Sequence, residues 1–225
     1  MSGSLDEHGN IALSIEYFLN YNFAHEVRIL DIGTRFGSFL AELESYGYKD
    51  CYGVDIDDAA ILRGKQAHES IANKLSSYDG EHLPFDDNSV DVVTMFDVIE
   101  HIPNVHLFLP EVSRVLRPKG VLMFQTPNIL TNIPWEIVQH RSLTKWRTFH
   151  CSLQSLNSLK SLMLNAGFVD LVVEKNGLKS EYNLQRIKRE IGAIGPPLIN
   201  ILEKLPLKLY PNFWGHCKNR ILETE

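Results

Sequence analysis

The sequence has few cysteines and no long apolar run; many cysteines, or such a run, are features of disulfide-rich, zinc-binding and membrane-spanning proteins. Its three cysteines, Cys51, Cys151 and Cys217, are isolated and form no CxxC pair. They therefore offer neither a disulfide framework nor a zinc motif, and this usage is typical of a reducing cytosol. No run reaches the ~20 apolar residues of a membrane span, and residues 1–10 are too polar and acidic for a signal peptide. We therefore expect a cytoplasmic protein with no integral membrane span.

Positive charge is also scarce. Lysine and arginine number 22 against 28 aspartates and glutamates, which gives a net charge of −6. This balance argues against a broad contact with a phosphate backbone, so a nucleic-acid partner is not expected. The apolar content of 44% and the charged content of 22% are ordinary for a globular protein. We expect residues 1–225 to form one domain, large enough to bury its own core.

Short apolar runs alternate with helical patterns along the chain. We predict strands over residues 27–32, 50–55, 90–96, 120–126 and 168–174, and helices over 11–20, 36–46, 58–75, 107–116 and 153–165. This alternation predicts an α/β fold with a doubly wound, mostly parallel sheet. Such sheets bind ligands at the carboxyl ends of their strands. The residues that directly follow each strand are therefore the candidate site.

Acidic and glycine residues surround the first two strand ends. The first strand runs into Asp31-Ile-Gly33-Thr-Arg-Phe-Gly37, where glycines let the backbone turn tightly and approach a ligand. The spacing is GxxxG, and a dinucleotide site requires GxGxxG. A carboxylate at Asp31 would repel a phosphate pair and suits a ligand with a cationic amino group. Asp55 ends the second strand, where a carboxylate can bind a ribose diol.

Four motifs together resemble a known family. The runs DIGTRFG, YGVDID, DGEHLPFDDNSVDVV and RVLRPKG resemble the class I S-adenosylmethionine (SAM)-dependent methyltransferases, especially those acting on small molecules and sugars. The resemblance implies SAM as cofactor and a seven-stranded sheet whose last strand is antiparallel. It divides the chain into a helical segment (1–26), a cofactor-binding core (27–175) and an insertion (177–212) before a last strand near 220–222.

The resemblance also assigns residues to the cofactor. Asp31, Gly33 and Gly37 would hold the methionine end, Asp55 the ribose and Ile56 the adenine. Asp79 and Gly80 match the turn that recognises the adenine edge, and Phe96, also assigned to the cofactor, follows the strand that underlies it. Arg35 departs from the pattern, because many relatives have a glycine there. This departure is the only support for one alternative, a catalytically silent partner subunit.

The run Asp97-Val-Ile-Glu100-His101 follows the third clear strand. If it opens a helix, its two carboxylates and its imidazole share one face. With His150 they could bind Mg²⁺ or another divalent cation. The run is similar to the acidic-x-x-Glu-His motif of quinone-biosynthesis O-methyltransferases and small-RNA 2′-O-methyltransferases, which have Glu in place of Asp97. Alternatively His101 or His150 is a general base without a metal, or a hydrogen-bonded structural side chain.

The sequence favours a SAM-dependent methyltransferase acting on an oxygen of a small molecule or sugar. Such an enzyme mainly aligns the acceptor with the methyl group and removes a proton. Residues 128–149, with Trp135, Trp146 and Phe149, form either a lid over the acceptor or a packed surface loop. A second enzyme hypothesis is a metal-dependent RNA 3′-end ribose methyltransferase, which the acidic net charge disfavours.

Overall fold

A computed structural model describes residues 4–148 and 150–220. Within these residues the chain forms eight α-helices and seven β-strands. In chain order they are α1 (Ser4–Asn20), β1 (Ile29–Ile32), α2 (Ser38–Ser45), β2 (Cys51–Asp55), α3 (Asp58–Ala67), β3 (Leu75–Ser77), β4 (Val90–Phe96), α4 (Val105–Val115), β5 (Leu116–Pro127), α5 (Ile129–His140), α6 (Leu156–Asn165), β6 (Phe168–Glu174), α7 (Glu181–Ile191), α8 (Gly195–Glu203) and β7 (Asn212–Asn219).

The seven strands form one sheet in the order β3-β2-β1-β4-β5-β7-β6. The strands β1 to β5 pair in parallel, and β7 runs antiparallel to both β5 and β6. This confirms the predicted seven-stranded, doubly wound sheet with an antiparallel last strand. The strand order reverses between β1 and β4, and a crevice opens at such a switch point.

Helices cover both faces of the sheet because successive strand residues point to opposite sides. On one side Ile29 and Val92 pack in a cluster that includes residues of α1, α2 and α3. On the other side their neighbours Leu30 and Val93 pack in a cluster with residues of α4 and α6. All four side chains are buried. Each contributes roughly 1.5–3 kcal/mol to folding, which makes the sheet a rigid base for its loops.

Several elements differ from their predicted positions. α1 begins at Ser4 instead of residue 11, and β5 begins at Leu116 instead of residue 120. The last strand lies at Asn212–Asn219, earlier than the predicted 220–222, and residues 221–222 lie outside the described residues. The helix predicted over 58–75 ends at Ala67 and is followed by a 3₁₀ helix, Glu69–Lys74. β3 had no legible pattern, because only one of its three residues, Leu75, is buried.

The segment before β7 adds a helical layer over the end of β5. Leu178, Ile199 and Tyr210 form a small buried cluster there. Residues 128–149, predicted as a lid or loop, contain the helix α5, and Phe149 lies outside the described residues. Asn128 caps α5 by accepting the Leu130 N–H at 3.1 Å, and its Nδ2 donates to the Tyr210 carbonyl at 2.8 Å. Among the described helices, none is long and apolar enough to cross a membrane.

Candidate active site

Two adjoining cavities open at the carboxyl ends of the strands. The first has a volume of about 700 Å³ and is lined from α1 and from the ends of β1, β2 and β4. The second has a volume of about 920 Å³ and is lined from the ends of β4 and β5 and from α5, α7 and α8. Ser14, Asp97 and His101 line both. Molecules bound in the two cavities would therefore meet at these three residues.

Asp31 is the buried acid of the first cavity, which we call the cofactor cleft. β1 places it opposite Thr94 of β4, and the Thr94 hydroxyl donates to Asp31 Oδ1 at 2.6 Å. Only 6% of Asp31 is exposed. Burial raises its pKa to about 7, although the hydrogen bond from Thr94 opposes the rise. A cationic group in the cleft would therefore favour the charged carboxylate.

Asp55 stands at the end of β2 with its carboxylate held by the backbone. One oxygen accepts the N–H of Arg35 at 2.8 Å, and the other accepts the N–H of Asp57 at 2.9 Å. Each oxygen keeps a further lone pair for a ligand hydroxyl. The Arg35 side chain is exposed, with its guanidinium 4.7 Å from the ring centroid of Phe36. The departure at Arg35 therefore buries no charge in the turn.

The other predicted cofactor residues divide into two groups. Gly33, Ile56 and Phe96 line the cofactor cleft with Asp31 and Asp55. Ile56 is 70% exposed, which leaves an apolar face open at the rim of the cleft.

The second group lies behind or beside the cleft and does not line it. Gly37 is buried, and a Cβ there would lie 2.9 Å from both Leu75 Cδ atoms. Asp79 Oδ1 accepts the N–H groups of Glu81 and His82 at 2.8 and 2.7 Å, which closes a turn. Gly80 lies next to Ile56. The direct contacts predicted for Gly37, Asp79 and Gly80 stay predictions.

The turn after β4 is not the helix that the sequence suggested. Asp97 has a φ of 56°, a left-handed conformation that ends the strand. Only Ile99–His101 is helical, as a three-residue 3₁₀ turn, and α4 begins later at Val105. This geometry directs Glu100 inward, where its side chain is 1% exposed. The prediction that Asp97, Glu100 and His101 share a helical face is therefore wrong.

Glu100 joins three segments of the site. Its carboxylate accepts the Thr126 hydroxyl at 2.9 Å, and its backbone carbonyl accepts the N–H groups of Cys151 and Ser152, each at 3.0 Å. Burial raises the pKa of Glu100 well above its usual value, and the nearby charge of Asp97 adds to the rise. These contacts bring the segment around residue 150 against the turn after β4.

His101 and His150 come together as a result. Their ring centroids are 5.2 Å apart. Glu100, His101 and His150 each offer one ligand atom, and these atoms all lie within 4.8 Å of one another; Asp97 is not part of this group. Burial and the neighbouring His101 lower the pKa of His150, and its Nδ1 is buried without a hydrogen-bond partner in the described part of the chain. Three of the four predicted metal ligands therefore converge.

Two residues of the site were missed from the sequence. Thr94 is a single hydroxyl within the apolar strand Val90–Phe96, which was a usable signal, because a buried polar side chain in a central strand needs a partner. Ser14 of α1 lines both cavities. It lies among apolar helix residues, and nothing in its spacing distinguished it from a core position.

A doubly wound sheet with one acid near the end of β1 and another at the end of β2 is typical of the class I SAM-dependent methyltransferases. The family model described as a methyltransferase domain matches residues 6–173. The chain therefore belongs to this family.

Individual proteins agree with this assignment. A probable S-adenosylmethionine-dependent methyltransferase of Mycobacterium tuberculosis is 33% identical over 133 residues, which cover 59% of this chain and 46% of the relative. The sterol 4-C-methyltransferase of Caenorhabditis elegans is 26% identical over 71% of this chain and 49% of its own. The chain thus spans about half the length of these relatives.

The solved structures show the same fold. A chain from the complex of the Haloferax volcanii Trm112 methyltransferase activator with a methyltransferase superposes with a TM-score of 0.74 at 16% identity. The match covers 97% of this chain and 93% of that one. At this identity the likeness shows the fold.

We expect Gly33→Ala to weaken SAM binding. Gly33 has a φ of 75°, and a Cβ would lie 2.5 Å from Val98 Cγ2. The left-handed backbone alone costs an alanine roughly 1–2 kcal/mol, and the clash must also displace a residue lining the cleft. Calorimetric titration should show at least about a tenfold loss of affinity. The matched control is Gly192→Ala, with a φ of 67° and nothing within 4 Å of its Cβ. Equal affinities of the two variants would contradict this role.

Proposed function

We propose that the protein transfers the methyl group of SAM to an oxygen of a small molecule or sugar. The observation that supports this best is that His101 lines both cavities. An acceptor hydroxyl in the larger cavity would then face the cofactor cleft beside an imidazole. When bound, SAM supplies a methyl group already activated by its sulfonium. The protein aligns the two molecules and accepts the hydroxyl proton.

We assign the cofactor contacts by chemistry. The Asp31 carboxylate suits the amino group of the methionine end, and Asp55 suits the two ribose hydroxyls. The exposed side chain of Ile56 suits the adenine face. Phe96 lines the cleft, and its ring lies 5.7 Å from that of Trp214, which lines the larger cavity. Gly33 leaves room for the backbone to approach the ligand. The carboxylates and apolar side chains that line the cleft therefore fit SAM.

We assign His101 as the group that takes the proton and His150 as its neighbour that supports it. A base must be neutral before the reaction, and burial lowers the pKa of His150, which keeps that ring neutral at neutral pH. The buried Nδ1 of His150 has no partner in the described chain, so it is available for hydrogen bonding.

His101→Gln should lower kcat by about 10²- to 10⁴-fold, the usual contribution of a general base. SAM affinity should change little, because the amide keeps the size and polarity of the side chain. Single-turnover transfer of labelled methyl and calorimetric titration of SAM measure the two effects separately. His106→Gln is the matched control, because His106 is exposed on α4 and lines neither cavity. A wild-type kcat in His101→Gln would show that His101 is not the general base.

A divalent cation is the competing role for Glu100, His101 and His150. Asp97 is not part of this group, so only three ligand atoms converge, and one oxygen of the Glu100 carboxylate already accepts the Thr126 hydroxyl. We therefore propose a site that works without a metal.

EDTA is expected to leave turnover unchanged. Complete loss of turnover in EDTA, with recovery on adding Mg²⁺ or Mn²⁺, would show a metal site instead. The His150→Gln variant sharpens the test. With a metal it should raise the metal concentration needed for half-maximal rate, and without one its rate should not depend on added metal.

A further inference from the structure

We propose that the acceptor is a neutral amphipathic molecule whose hydroxyl faces His101 and whose apolar body lies between α5 and the pair α7 and α8. This inference rests on the proposed function and narrows the class of its substrate. It depends on the larger cavity, which we call the acceptor cavity.

The helices give the acceptor cavity an apolar lining. Side chains from α5, α7 and α8 that line it are Leu130, Pro134, Trp135, Val138, Ile187, Ile191, Leu198 and Leu202. The volume of about 920 Å³ is at the upper end of the range of roughly 300–1,000 Å³ that holds drug-sized ligands. A small polar acceptor such as a free monosaccharide would leave most of this lining without contact.

Several polar groups on the helices are paired within the protein, whereas Asn132 Oδ1 on α5 lines the cavity and is buried without a hydrogen-bond partner in the described residues. Glu136 pairs with His140 at 3.0 Å, the Thr131 hydroxyl donates to the Asn128 carbonyl at 3.2 Å, and Asn183 Nδ2 donates to the Gly177 carbonyl at 2.7 Å. These groups therefore have less need of a polar ligand. The two histidines of the cavity, His101 and His150, lie at the end of the cavity that is nearest the sheet. This arrangement fits a molecule that is polar at one end.

The charge of the lining disfavours anions. Among the described side chains, the acceptor cavity has three carboxyl groups, those of Asp97, Glu100 and Glu136, and no lysine or arginine. A fatty acid or a phosphate ester would have to lose its hydration without meeting a fixed positive charge. A neutral alcohol avoids this cost.

The cavity opens to solvent along an apolar rim. Leu130 and Val138 line it and are still 53% and 70% exposed. Exposed apolar side chains concentrated at the mouth of a cavity are typical of a site that receives an apolar ligand.

The test uses a neutral fluorescent probe, N-phenyl-1-naphthylamine, with the full chain. The probe should bind saturably, and 1-dodecanol should displace it at a concentration at least about tenfold lower than dodecanoate. Leu198→Lys places a cation inside the cavity. It should weaken the binding of the probe and of 1-dodecanol, and dodecanoate should become the better competitor. Ile201→Lys on the same helix lies outside the lining and should keep the wild-type preference.

Several outcomes would overturn the inference. They are the absence of saturable probe binding, equal displacement by the alcohol and the carboxylate, and the same effect from both lysine variants. If Leu198→Lys does not fold, Val138→Lys repeats the test at a lining residue whose exposure tolerates the charge.

Probe binding is separate from methyl transfer, so two kinds of failure can be told apart. If the probe and 1-dodecanol bind but no hydroxyl-bearing amphipathic compound is methylated, the proposed O-methylation fails. If labelled methyl appears only on sugars or anions, the O-methylation stands and the amphipathic acceptor is overturned.

Discussion

Asp31→Asn is expected to weaken SAM binding and to make the apoprotein more stable above pH 7. Burial raises the pKa of Asp31 from 3.8 to about 7 in the folded chain. Between these values the folded state binds more protons than the unfolded state. Its free energy of unfolding therefore falls as pH rises toward 7 and stays low above it. An asparagine cannot ionise and avoids this loss, and its Oδ1 can still accept the Thr94 hydroxyl.

The two effects of Asp31→Asn are large. The pKa difference corresponds to an upper limit of about 4 kcal/mol of stability at pH 8, from about 1.36 kcal/mol per pKa unit. Loss of the charged partner of the SAM amino group should cost roughly 1.5–3 kcal/mol of binding, about 10- to 150-fold in affinity. SAM affinity of the wild type should also rise with pH through about 7.

Thermal unfolding at pH 5 and pH 8 and calorimetric titration with SAM measure both effects. The control is Asp86→Asn, because this side chain is exposed and outside the cofactor cleft. A variant that is less stable and binds SAM as well as the wild type would make Asp31 a structural turn residue.

Asp55→Ala should reduce SAM affinity by roughly 2–4 kcal/mol, through the loss of two charge-assisted hydrogen bonds to the ribose. That is about 30- to 1,000-fold. The Arg35 and Asp57 N–H groups also lose their acceptor, which loosens the turn after β1. Asp58→Ala is the matched control, since Asp58 is an exposed acid at the start of α3 that does not line the cleft. Calorimetric titration of both variants with SAM tests the assignment. Equal affinities would show that Asp55 does not bind the ribose.

Strand positions were predictable wherever burial dictated the residue types. Val90–Phe96 and Phe168–Glu174 form strands with the predicted bounds, because each is an apolar run ended by a polar turn. Asp31 near the end of β1 and Asp55 at the end of β2 indicated the cofactor cleft, because a carboxylate in a largely apolar strand is an unusual residue type. β3 was not recognised in the sequence, because a strand with one buried residue shows no alternation of apolar and polar side chains.

The catalytic end of the site was only partly predictable. His101 and His150 do lie together, but they are joined through the bonds from Cys151 and Ser152 to the Glu100 carbonyl, and no spacing in the sequence encodes such contacts. The turn after β4 was mistaken for a helix, because side-chain spacing does not show the left-handed backbone of Asp97. α5 was also missed, although Asn128 before an apolar run is a typical N-cap.

The most direct test of the proposed function is the position of the transferred methyl group. The wild type and His101→Gln are incubated with methyl-labelled SAM and a pool of neutral hydroxyl-bearing compounds, and the labelled product is isolated. We predict a methyl ether from the wild type and almost none from His101→Gln, although both proteins bind SAM. Label on nitrogen or carbon, or no transfer from a wild-type protein that binds SAM, would contradict the O-methyltransferase proposed here.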